Sequence, residues 1–215
     1  MKAFRDLLQG KAAMWEGAKI RMLHAQGQAP PRPIDVPVVI AALGPKGDAV
    51  ARRVGDGLFT ILFVPRYAKN YGWVAALRHG TVLDDDEDVR SDRVRAAAGP
   101  GTMTLSYHGA YPSRDALSQL PGGDAWLAVI DRYPEDERHL AVHEQHFTGL
   151  TEADHAAWDA GAASMVEHVT ITGRAPQVRD HLAQLAEQGV TEIVYQPSGP
   201  DIPRELERFL QAAAG

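Results

Sequence analysis

The 215-residue chain contains no cysteine. Disulfides, thiolate metal sites and a cysteine nucleophile are therefore excluded. No run approaches the roughly 20 apolar residues needed to cross a bilayer, and the opening MKAFRDLLQGK lacks the apolar core of a secretion signal. Positive charge is in short supply: 22 Lys and Arg against 28 Asp and Glu leave a net charge of −6, the wrong sign for a protein whose main partner is a nucleic-acid backbone. Neither nucleic acid nor membrane is expected as a partner, and the cytoplasm is the expected location. There is no G-x-S-x-G, no Walker A sequence and no G-x-G-x-x-G, so an acyl-transfer serine, a P-loop and a dinucleotide fingerprint all lack support.

What is present is organised around Ile34 to Thr60 (IDVPVVIAALGPKGDAVARRVGDGLFT). Val36 to Leu43 is a β-branched apolar run of strand length, hydrophobic enough to be covered on both faces. Gly44-Pro45 stops it, and Pro45 suits the first turn of a helix. Val50, Ala51 and Val54 follow at helical spacing, with Gly55 as a left-handed stop. A second apolar run, Leu58 to Val64, completes a βαβ unit whose strands should lie parallel. Free N–H groups at the helix start, with Lys46 beside them, would attract a phosphate. The alternative is a turn with nothing bound.

Residues 2–9 read as a helix with Phe4, Leu7 and Leu8 on one side, and Met14 to Leu23 as a hairpin turning at Glu16-Gly17. Arg66 to Arg78 reads as a helix. The acidic run Asp84 to Asp88 reads as a solvated loop, with a divalent-cation site as the alternative. Val89 to Ala98 reads as a helix ended by Gly99-Pro100-Gly101, then Met103 to Tyr107 as a third strand and Asp124 to Tyr133 as a helix. Thr151 to Asp154 resembles a capping box opening a further helix. Pro176 to Gln188 is the clearest helix, Thr191 to Gln196 a strand, and Ile202 to Ala213 a closing helix with Leu206, Phe209 and Leu210 turned inward. Strands alternating with helices, without strict polar alternation, favour a parallel α/β architecture.

Histidines are the other candidates. His108 would follow the third strand, where in a barrel it would stand at the active end; it either donates a hydrogen bond or shuttles a proton, or simply packs in a loop. His139 to Phe147 (HLAVHEQHF) fits a strand or a helix. His139, His143 and His146 with Glu144 suggest a metal, but His143 and His146 are three residues apart where the zinc-protease motif needs four, and on a strand they would face opposite sides. No metal is expected. His143 and Glu144 remain candidates for a substrate pocket or for plain surface positions.

Two segments carry a family resemblance. VPVVIAALGPKGDAVARRVGDGLFT resembles the strand, Gly-Pro turn, helix and strand of the bacterial-luciferase-like monooxygenases. ITGRAPQVRDHLAQLAEQGVTEIVYQPSGPDIPRELERFLQAA resembles that family's C-terminal end, and RDLLQGKAAMWEGAKIRML its segment just before the first match. The resemblance implies a (β/α)8 TIM-barrel-like fold that binds FMN or the deazaflavin coenzyme F-420 at the C-terminal ends of its strands. Its phosphate-side contact maps onto Leu43, Gly44, Pro45 and Lys46. The first strands of such a barrel would precede Met1, so residues 1–215 are expected to form one incomplete barrel domain with an insertion at about 64–169. Val36 to Ala41 would then be exposed along one side or covered by a second copy. The implied function is a flavin- or deazaflavin-dependent oxidoreductase or monooxygenase acting on a small organic substrate, for whose substrate side His108 and His143 are the candidates among the residues weighed above. The alternatives are a non-catalytic barrel remnant and a metal-dependent hydrolase using His139, His143 and Glu144.

Overall fold

The computed structural model describes residues 1–25 and 27–215. The chain opens with α1 (Lys2–Leu8) and the hairpin of β1 (Ala13–Trp15) and β2 (Ala18–Ile20). Glu16 and Gly17 form its turn at φ of 48° and 81°, the left-handed pair that matches the twist of a two-residue hairpin. Helix α1 buries no residue, so its apolar side with Phe4, Leu7 and Leu8 is not packed into a core.

The βαβ unit forms with the expected order and parallel sense from β3 (Val39–Ala41), α2 (Pro45–Val54) and β4 (Gly57–Thr60), but its strands are shorter than the apolar runs, and β3, an edge strand, is not covered on both faces. Val39, Ile40 and Ala41 lie parallel to Gly57, Leu58 and Phe59. Gly55 departs from expectation: its φ is −94°, not left-handed. Space explains the glycine, because a Cβ there would lie 2.8 Å from both the Ala51 carbonyl oxygen and Ile40 Cγ1.

Arg66 to Arg78 is not a helix. It is a 3₁₀ turn (Arg66–Asn70) followed by β5 (Val74–Arg78). VAALR offers no polar face for a helix to expose, and almost all of it is buried, the pattern of a central parallel strand. Then come α3 (Asp92–Met103), α4 (Arg114–Ser118), α5 (Gly123–Ile130), α6 (Arg138–His143), α7 (Glu152–Asp159), α8 (Val166–Val169) and α9 (Ala175–Glu187). Strand β6 (Glu192–Tyr195) and α10 (Ile202–Ala214) close the chain. The four parallel strands stand in the order β3-β4-β5-β6. The β3 edge is open, and Val36 beside it is 46% exposed.

The helical region corrects two more expectations. Gly99-Pro100-Gly101 lies inside α3, and the expected strand Met103 to Tyr107 instead continues the helix as a π-helical turn, Thr104–His108. The glycines act as contact points: a Cβ on Gly101 would fall 2.6 Å from His79 Cβ, and one on Gly99 3.1 Å from Leu150 Cδ1. Met103 and Tyr107, one turn apart, are fully buried among Leu117, Trp126, Ile130 and Val142, and that burial outweighs their strand propensity. A separate core of Ala42, Leu58, Val74, Ala76, Val178, Leu185 and Phe209 packs on the sheet. Of the three α10 residues expected to face inward only Phe209 does; Leu206 and Leu210 are 41% and 65% exposed. The acidic run is a loop whose Asp84, Asp85, Asp86 and Asp88 are exposed, as expected, and two of its carboxylates also find arginine partners. Asp84 accepts from Arg204 at 2.8 Å and Arg208 at 2.7 Å. Glu87 pairs with Arg93, which reaches buried Glu205 at 2.8 Å. Among the described residues no helix is long and apolar enough to cross a membrane.

Candidate functional site

The C-terminal ends of the parallel strands carry two neighbouring features. The first is the corner between β3 and α2. Gly44 is the N-cap and supplies no side chain. The Asp48 N–H donates to the Gly44 carbonyl at 2.9 Å, and with Pro45 lacking an N–H, the Lys46 and Gly47 amides are the free donors of the first turn. A Cβ built on Gly44 meets nothing within 4 Å, so side chains do not plug the corner. Leu43, Pro45 and Lys46 are exposed around it. Asp48 brings a negative charge into the same turn, but it is turned aside: its carboxylate accepts from the Tyr71 hydroxyl at 2.7 Å and from Arg52 at 3.1 Å. Those bonds, Tyr71's foremost, hold Asp48 below the usual carboxylate range.

The second feature is a cavity of about 300 Å³ beyond β4 and β5. Its walls include Leu62, Phe63, Arg78, His79, His168 and His181, and no carboxylate lines it. Leu62 and Phe63 are 55% and 51% exposed. Arg78 is buried, and Nη1 donates to the carbonyls of Ile61 at 2.8 Å and Leu77 at 2.7 Å. No carboxylate pairs with it among the described residues. Burial lowers its pKa, yet a guanidinium stays cationic at neutral pH. His79 follows directly. Burial pushes its imidazole below the usual value, partly offset by the Gln196 backbone, and neither ring nitrogen makes a well-formed hydrogen bond.

The histidines assemble a third feature. His108 lies not after a strand but in the π-helical turn, 4% exposed. Its Nε2 is 3.0 Å from Asp154 Oδ1, which also accepts from Trp126 Nε1 at 2.9 Å. Asp154 is the capping-box residue of α7, and its Oδ2 accepts from the Thr151 N–H at 2.9 Å. Burial alone would raise the Asp154 pKa; the His108, Thr151 and Trp126 bonds outweigh it and hold the carboxyl below its ordinary value. The ambiguous His139 to Phe147 segment is helical through His143, so the three-residue spacing gathers His143 and His146 instead of separating them: their Nδ1 atoms are 3.2 Å apart. The His108 and His143 rings are 5.7 Å apart. His139 and Glu144 do not belong to this cluster. Phe147 links it to the sheet by stacking on His79 at 4.5 Å, while its carbonyl accepts from Ser198, just beyond β6, at 3.1 Å.

A profile of the luciferase-like monooxygenases matches residues 1–192. The chain belongs to that family. A comparison with curated proteins found no match. Among solved structures, an F420-dependent secondary alcohol dehydrogenase in complex with an F420-acetone adduct matches with a TM-score of 0.50 and 14% identity, over 99% of this chain and 59% of that one. This family member thus spans well under two thirds of that neighbour's length. The likeness bears out the barrel-like α/β fold. Of the residues singled out in the sequence, Leu43 to Lys46 stand together at the strand ends, and His108 and His143 stand together among the helices. Arg78 and His79 were missed because the strand before them reads as a helix; the signal was a short, wholly apolar run ending in Arg-His-Gly.

Proposed function

We propose that this chain is a flavin- or deazaflavin-dependent oxidoreductase that holds its cofactor along the C-terminal edge of the sheet. The observation that carries the reading is Arg78: a buried cation with no carboxylate partner, beside exposed Leu62 and Phe63 in a cavity free of acids. An uncompensated buried charge is costly unless a counter-charge arrives, and the apolar wall suits a ring. An anionic, aromatic cofactor supplies both, so the residues present fit the group. The neighbour's coenzyme makes a deazaflavin the first probe.

Such a cofactor, when bound, supplies the hydride or oxygen chemistry. The protein holds and shields. Lys46 and the free amides of Lys46 and Gly47 hold the phosphate side, while Arg78 meets negative charge in the cavity. Leu62 and Phe63 exclude water from the ring. His79 offers a ring nitrogen to hold a proton of a small organic substrate at the end of β5. His108 and His143 lie one residue layer away, across His146 and Phe147, and act on substrate only if it reaches past Phe147.

Fluorescence titration of the purified chain with F-420 and with FMN tests this. Saturable binding of one of them, weakened about 10- to 100-fold in R78M through loss of a charge-assisted contact, is the expected outcome. Absence of binding by both chromophores, or equal affinity in R78M, sinks the reading.

A further inference from the structure

We propose that His108, His143 and His146 form a binding site for a zinc-class divalent cation, at a place distinct from the cofactor edge. One ring nitrogen from each lies within 4.8 Å of the other two. A carboxylate only accepts, so Asp154 requires the His108 proton on Nε2. That leaves the His108 Nδ1 lone pair, which is buried without a hydrogen-bond partner. A buried imidazole oriented by a carboxylate, with its other nitrogen free, is the arrangement that supports a metal-ligating histidine.

The exposed pair fits the same occupant. His143 Nδ1 and His146 Nδ1 are 3.2 Å apart, close to the roughly 3.4 Å between two imidazole nitrogens on a tetrahedral zinc. The remaining gaps close by side-chain torsion, since His143 and His146 stand at the surface. The donors are three neutral nitrogens with no sulfur and no first-sphere carboxylate. That set suits zinc over magnesium or calcium. A cation there ties the π-helical turn to the end of α6. It also fixes Phe147, which sits at a φ of 62°, against His79 at the cavity wall.

The test uses the full chain, stripped with a chelator and titrated with Zn²⁺ by calorimetry and by thermal shift. The wild type should take one Zn²⁺ per chain and melt higher in its presence. H143A/H146A, both surface changes that leave the buried core untouched, should lose about a hundredfold or more in affinity and the thermal shift with it. D154N should retain binding but weaken it about 10- to 100-fold. H139A, outside the cluster, should bind as the wild type does. No stoichiometric zinc on the wild type, or unchanged binding by H143A/H146A, overturns the proposal: the two exposed rings then merely share a proton.

Discussion

Where β3, β4, β5 and α2 meet, alanines are frequent among the buried residues: Ala42, Ala51, Ala68, Ala75 and Ala76 accompany Leu58 and Val74, and the larger Leu185 and Phe209 come from α9 and α10. In the helices between β5 and β6 the bulkiest side chains gather: Trp126, Tyr107, Met103 and Leu117 share one core, and Trp158 is buried in a second. Small side chains let strands and helices approach closely and hold position through backbone hydrogen bonds. Large ones fill a wider gap and need their polar atoms answered inside it, as Asp154 answers Trp126 and His108. The sheet side ends in an open edge and a cavity, where a ligand can supply what is missing. The helical side answers its own polar groups and carries the exposed histidines His143 and His146 at its rim.

Substitutions can sharpen that contrast. The largest effect is expected from W126A, which empties a fully buried site and orphans a bond to Asp154. It should cost about 3–5 kcal/mol in urea denaturation. A smaller loss than about 1 kcal/mol would mean the helical core is looser than drawn. Next is G101A, whose new Cβ would collide with His79 Cβ at 2.6 Å. Forcing α3 off the end of β5 should cost about 1–3 kcal/mol, and, because His79 moves, it should weaken cofactor binding as well. Loss of stability with unchanged binding would show the two regions uncoupled at that point.

Acid gives the third contrast. The Asp154 pKa is depressed on folding, so its contribution is complete above the unfolded carboxylate value near 4 and is lost as pH falls through the lower folded value. Tryptophan fluorescence should therefore stay native-like to about pH 4 and shift only below it. A shift between pH 5 and 6 would assign the acid sensitivity to other groups. The smallest effect belongs to K46A. Exposed and unpaired, Lys46 should cost under about 0.5 kcal/mol of stability, while cofactor affinity falls about two- to fivefold, the worth of one charge at a helix start. Affinity unchanged in K46A would remove the corner from the cofactor's path.

Legibility of the sequence divided along the same line. The βαβ unit was readable because its signals are local: an apolar run, a Gly-Pro stop, a helix, a second run. The Thr151–Asp154 capping box was readable for the same reason. The hairpin at Glu16-Gly17, α5, α9, β6 and α10 were readable likewise. The stretch from Arg66 to Tyr107 was not, because local signals there point the wrong way. Gly99-Pro100-Gly101 looks like a helix stop, yet those residues are small where α3 meets His79 and Leu150. VAALR has no period to distinguish a short buried strand from a helix. The family resemblance located the Gly44–Lys46 corner but said nothing of Arg78 or His79.

The amino-acid sequence by itself determined the parallel βαβ scaffold, the family and the absence of thiol and spanning-helix chemistry, since each follows from composition or from residues a few positions apart. Tertiary structure alone decided that Arg78 is buried with no carboxylate partner among the described residues, and that His108 meets His143 and His146. Those facts rest on contacts between residues some tens of positions apart, which only packing of the helical region against the sheet can bring about.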